Sequence, residues 1–334
     1  MKLMKKITAA LLLTTMAATM AEAREMRVSS FEPPVGFYSS KVIQPWIDQM
    51  NAKLSEANRF KLYPGSILGG APAQAELVAK GVADVALVVP NYTPGIFPLS
   101  SVVELPGIAP DAKTGANVMT TLFEEGVLSP EYKDYKVIAL FSTAPYRVFT
   151  KDAGARSPEV LKGMKVRTPS PFISTMTSML GGTGVSIPAP QVYENLERGV
   201  VGGAVWASDA YKTFRLYEVA PKLTLTRITA SPMAILMNKK TYDALPEADR
   251  KVIDGFAGRP AAEWISGVIT DYDAAVQAEM RANPKVEVID LTADEQKAWE
   301  DALAKAPETW VSGLGDKGEA AKKAIERAKA LNTH

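Results

Sequence analysis

The chain has 334 residues with 38 Lys and Arg against 37 Asp and Glu, a formal net charge of +1, no cysteine and a single histidine, His334. So even a balance excludes a nucleic-acid or anionic-membrane binder, and the missing cysteine excludes both disulfide support and a lipoprotein type of leader. With one histidine at the last position, a Ser-His-Asp or Cys-His mechanism and His-ligated zinc lack their parts; carboxylate or Lys chemistry stays formally open, and binding is favoured over catalysis.

The first residues, MKLMKKITAALLLTTMAATMAEA, set Lys2, Lys5 and Lys6 before an apolar run and end on Ala21-Glu22-Ala23. This is the pattern of a secretory signal peptide over 1–23 and predicts export to the periplasm. The run is short of the roughly 20 apolar residues that span a bilayer, and no later segment approaches that length. REMRVSS then reads as a strand, and Phe37 to Glu56 as a helix, with Val42, Ile43, Trp46, Ile47, Met50 and Leu54 at helical spacing. Arg59 to Tyr63 is a short strand closed by Pro64-Gly65, Gln74 to Lys80 a helix stopped at Gly81, and Val82 to Val89 a dense apolar run suited to a buried parallel strand. That rhythm is one of a doubly wound α/β domain.

It then repeats. Lys136 to Ser142, Tyr146 to Thr150 and Lys165 to Arg167 are strand-like, and Phe172 to Leu180 is a helix ended by Gly181-Gly182. A short helix from Gln191 to Arg198, strands at Val200 to Trp206 and Ser231 to Met237, and helices at Pro246 to Gly258 and Ala261 to Arg281 follow. The last is long enough to span two lobes. With no flexible linker in sight, the lobes are expected to be joined by crossing strands, 24–144 plus 233–270 forming the first and 145–232 plus 271–334 the second.

One stretch within this rhythm, LKGMKVRTPS at 161–170, carries the functional question. Met164 and Val166 share one strand face, Lys165 and Arg167 the other. Arg167 is either a solvated residue on a polar face or a forked guanidinium held at a strand end for a carboxylate or phosphate.

Several pieces settle the context. YPGSILGG at 63–70 with KGVADVAL at 80–87, LKGMKVRTPS itself, IPAPQVYENLERGVVGGAVW at 187–206 and MNKKTYDALPEADRKVI at 237–253 together resemble the substrate-binding proteins of tripartite ATP-independent periplasmic (TRAP) transporters, the DctP-like family, over nearly all of the chain after the leader. The resemblance implies an α/β, two-lobe periplasmic binding protein fold with crossing strands, a long interlobe helix and the ligand in the cleft. It implies that Arg167 pairs with the ligand's carboxylate, that Arg147 in APYRVFT is a second ligand arginine, and that the partners are the membrane subunits of the transporter. A sensor or chemoreceptor as partner, and a periplasmic enzyme using Lys or a carboxylate pair, stand as the alternatives.

Departures from the family pattern narrow the ligand. GVVGGAVWASD at 199–209 has Gly202 where an aspartate is usual and Trp206 at or beside a position that is often polar, and VVPNYTP follows KGVADVAL. Fewer fixed polar groups imply a ligand with fewer hydroxyls: a monocarboxylate with an apolar or aromatic body, such as an aromatic acid, a 2-oxo acid or a short hydroxy acid. Trp206, Phe172, Tyr38 and Tyr92 are candidate walls, each also a plausible core aromatic, and Asn91 a candidate polar contact. GSILGG and GGTG lack the Lys-Ser or Lys-Thr of a phosphate loop, and the carboxylates show no calcium-loop spacing. No metal, no cofactor and no catalytic residue is expected, and a monomer is.

Overall fold

The computed structural model describes residues 25–93 and 95–332; the leader at 1–23 and His334 lie outside the described residues. Two sheets organise the chain. The first has the order β2-β1-β3-β10-β4 and is made of β1 (Met26–Ser29), β2 (Phe60–Tyr63), β3 (Val85–Val88), β4 (Tyr135–Ser142) and β10 (Pro232–Asn238). The second, β11-β9-β5-β8-β6-β7, is made of β5 (Arg147–Thr150), β6 (Lys165–Thr168), β7 (Thr183–Ser186), β8 (Gly203–Trp206), β9 (Lys222–Thr224) and β11 (Glu287–Ile289).

β1, β2 and β3 pair in parallel, and β3 is apolar on both faces because it lies between β1 and β10 with both faces covered. β10 enters antiparallel between β3 and β4 after the chain has already built five strands of the other sheet. The chain therefore crosses between the sheets at β4 to β5, at β9 to β10, and along the helix Arg259–Ala282, which touches the helix Ala112–Glu124 and β4 on one side and the helix Ser208–Thr213 and β11 on the other. This is the two-lobe α/β architecture with crossing strands and a long interlobe helix.

Local sequence explains where the elements stop. The helical pattern from Phe37 begins as a wide π turn over Tyr38–Ile43, becomes α-helical at Gln44–Asn51 and ends there, short of Glu56. Pro45 has no N–H for the carbonyl a turn back, and the turn before it closes instead through Gln44 N–H to Ser39 O. The helix Ala112–Glu124, absent from the sequence reading, contains Gly115 and three threonines, poor helix formers. Packing decides it: a Cβ at Gly115 would sit 1.9 Å from Ser142 Oγ on β4. The helices Ala306–Gly313 and Gly318–Leu331, grouped by sequence with the second lobe, pack through Trp310, Ala321, Ala324 and Ala328 into a core shared with Val102 and Leu122, on the side of the first sheet.

Candidate ligand-binding cleft

β6 lies between β7 and β8, parallel to both. Along its polar face Lys165 is exposed and Arg167 has no exposed surface at all, because the strand runs from solvent in under the other lobe. The helix Pro171–Met179 starts immediately after it, with Ser170 Oγ accepting from Ile173 N–H, so the strand is stopped at Thr168 and the side chain of Arg167 is held between the sheets.

The guanidinium is fixed from three directions. Nε donates to Ile187 O at 2.9 Å, Nη1 to Val205 O at 3.3 Å and Nη2 to the Tyr92 hydroxyl at 3.2 Å. Its carbon lies 3.9 Å from the centroid of the Trp206 ring, a cation–π contact. Three of the five N–H groups of an arginine are thereby used, leaving one on each terminal nitrogen. Among the described residues no Asp or Glu forms an ion pair with Arg167. A desolvated cation without an anion is costly unless something negative joins it, and a carboxylate matches the two remaining donors in sign and geometry.

Tyr92 comes from the first-sheet lobe, just beyond β3, and Trp206 ends β8 in the second. Between them lies a cavity of about 20 Å³, lined also by Phe31, Glu32, Tyr38, Tyr146 and Asp209. Trp206 stacks on Phe214 at 5.2 Å, which locks the indole as a wall. Tyr38 opens the π turn, and its N–H donates to Glu32 Oε2 at 2.7 Å, as does Ser39 N–H at 3.3 Å. Burial, reinforced by the nearby Asp209, pushes the Glu32 carboxyl up to about 8 in spite of those two N–H donors. Burial, then the charge of Asp273, pushes Asp209 up to about 7.

The structure thus brings together Arg167, Trp206, Tyr92 and Tyr38 of the residues read from sequence. It does not bring the other three to them. Arg147 is 4% exposed and ion-paired to Asp273 at 3.0 Å, with Nη1 also donating to Thr226 O at 2.6 Å; its fork ties β5 to the long helix and lines a separate groove with Arg227 and Arg281. Asn91 donates to Glu104 Oε1 and to Ser231 Oγ, and with Phe172 lines a different pocket of about 450 Å³. That pocket has no Lys or Arg in its lining to pair with a carboxylate, and burial pushes its acid, Glu104, up to about 7.

Sequence reasoning passed over Glu32, Asp209 and Tyr146. The acid in FEPP and the acid three residues after Trp206 in WASD were the available signals, each reading locally as a turn or helix-start residue. Gly202 also proves uninformative about the ligand: a Cβ there would meet Met164 Cγ at 3.0 Å and is not part of the cavity lining. Among the described residues no three His, Asp or Glu side chains are grouped to hold a metal ion, and no helix is long and apolar enough to cross a membrane.

Residues 34–311 match the bacterial extracellular solute-binding proteins of family 7, the DctP family. The chain belongs to that family. The solute-binding protein is 28% identical to a marine metagenome TRAP solute-binding protein specific for aromatic acid ligands, solved in complex with meta-hydroxyphenylacetate, with a TM-score of 0.87 over 92% of this chain and 98% of that one. A TRAP solute-binding protein of Rhodoferax ferrireducens in complex with copurified benzoate is 26% identical, with a TM-score of 0.88 over 92% and 97% of the two chains. The 2,3-diketo-L-gulonate-binding periplasmic protein of Escherichia coli is 25% identical over 248 residues, 73% of this chain and 74% of its own. Membership of the family makes the protein a component of solute transport, not an enzyme.

Proposed function

We propose that this solute-binding protein captures a small organic anion in the periplasm, a monocarboxylate with an aromatic or apolar body, and delivers it to the membrane subunits of a TRAP transporter. The observation that carries the reading is Arg167: wholly buried, stacked on Trp206, free of any ion pair among the described residues, and left with two donors. Charge-assisted hydrogen bonds of this kind contribute roughly 1.5–3 kcal/mol each, so two supply much of the roughly 8 kcal/mol of a micromolar complex.

The body of the ligand is inferred from the walls. Phe31, Tyr38, Val89, Tyr92, Tyr146, Trp206 and Met233 offer rings and apolar surface, suited to a flat apolar group. The aromatic-acid and benzoate binders among the similar structures support that reading; the diketo-gulonate binder supports a sugar acid, whose hydroxyls would have to be met by the cavity's few polar side chains, Glu32, Thr143 and Asp209 among them. A cavity of about 20 Å³ holds little more than a water, so entry requires the lobes to part, and closure then excludes water and strengthens the pair.

Mass spectrometry of ligand released by denaturing the purified protein, with thermal shifts across a carboxylate panel, tests this. Recovery of an aromatic or other apolar monocarboxylate, and stabilisation by the same class, is expected. Stabilisation by polyhydroxylated sugar acids alone would overturn it.

A further inference from the structure

The cavity lined by Tyr92 and Trp206, the two rings that Arg167 contacts, has a second polar feature that a carboxylate does not use. Glu32, from the loop after β1, and Asp209, from the helix Ser208–Thr213, approach from opposite lobes and both line it. Both are buried, at 2% and 4% exposure, and no cation pairs with either among the described residues. Glu32 Oε2 is engaged by the Tyr38 and Ser39 N–H groups. Asp209 Oδ1 and the Tyr38 hydroxyl, both buried and both on residues that line the cavity, have no hydrogen-bond partner.

These orphans are complementary to a group that both donates and accepts. Asp209 Oδ1 needs a donor and the Tyr38 O–H needs an acceptor. A hydroxyl is both at once, whereas an ammonium only donates and an apolar ring edge does neither. Leaving such groups unmet in a dry site is unfavourable, and a site built to hydrogen-bond a hydroxyl discriminates strongly against the analogue that lacks it.

Resting on the reading of Arg167 as the carboxylate anchor, we propose that the ligand is a hydroxy acid of separated ends, its carboxylate on Arg167 and a hydroxyl across its apolar body donating to Asp209 and accepting from Tyr38. Burial of Asp209 and Glu32, which raises both carboxyls, is relieved when a donor reaches them. Of the ligand chemistries open at Arg167, the acid pair thus selects the hydroxylated one.

Calorimetry with benzoate, phenylacetate, their 2-, 3- and 4-hydroxy derivatives and 4-(aminomethyl)benzoate, on the wild-type protein and on Asp209→Asn and Tyr38→Phe, tests this. At least one hydroxy isomer is expected to bind about tenfold or more tighter than its parent acid, with that ratio falling to about twofold or less in both near-isosteric variants. Equal affinity of parent and hydroxy acids, a ratio that survives both substitutions, or tightest binding of the aminomethyl acid would overturn the hydroxyl assignment and leave the anchor intact. Failure of every acid to bind would overturn the anchor itself, and the assignment with it.

Discussion

Arg167 on β6 and Arg147 on β5 are both buried arginines on strands that flank β8, and their partners separate their roles. Arg147 spends its charge on Asp273, so Arg147→Ala would strand that acid; breaking a buried pair costs about 3–5 kcal/mol, and a lower denaturant midpoint with little change in ligand affinity is the expected result. A large loss of affinity at unchanged stability would instead make Arg147 a ligand contact. The acids make a second prediction. Glu32, Asp209 and Glu104 keep their protons to about pH 8, 7 and 7 when folded, against about 4 for an ordinary carboxyl. The folded state therefore binds more protons than the unfolded state between about pH 4 and 8, and stability falls as pH rises through that window. Melting temperature should be lower at about pH 8.5 than at about pH 5.5, and Asp209→Asn should narrow the difference; a melting temperature that climbs over the interval would refute the assignment of these acids.

At the scale of elements, the site depends on how β6 and the helix that follows it are packed. Gly184 on β7 lies against that helix: a Cβ would come 2.4 Å from Ser174 Cα, a backbone atom that cannot yield cheaply. Gly184→Ala should cost about 1–3 kcal/mol by overpacking, read as a lower denaturant midpoint, and no change in midpoint would show that the contact relaxes freely. Much of this level was legible in the sequence, since β1, β2, β4, β6 and the long helix announce themselves by alternation, helical spacing and glycine stops. The helix Ala112–Glu124 was not, because its glycine and threonines argue against it locally and only contact with β4 decides it. The strands β7, β9 and β11 were not legible either: β7 is a sheet-edge strand with no fully buried residue, and β9 and β11 carry three residues each.

On the scale of the whole molecule, the cleft exists because two lobes meet. Tyr92 reaches Arg167 from the opposite lobe, Phe37 N–H donates to Thr213 Oγ1 at 3.3 Å, and the Phe37 ring stacks on Tyr272 of the long helix at 4.4 Å. These contacts describe a closed arrangement, and solution scattering should show a smaller radius of gyration with a bound aromatic acid than without; an identical radius in both would remove closure from the account. The same geometry explains what the sequence hid. Arg167 was visible as a ligand anchor only through the resemblance of its segment to the family, since its place on a strand alone left a solvated residue equally open, whereas Glu32 and Asp209 lie far apart in sequence and only the meeting of the lobes sets them on one cavity.

The central claim, that Arg167 anchors the ligand's carboxylate, is tested most directly by isothermal titration of an aromatic carboxylate against the wild-type protein, Arg167→Lys and Arg167→Ala, each first confirmed as folded by circular dichroism. Loss of a charge-assisted contact predicts binding about tenfold or more weaker in Arg167→Ala, with Arg167→Lys intermediate because it keeps the charge and loses the fork. Affinity unchanged in the folded Arg167→Ala protein would contradict the claim.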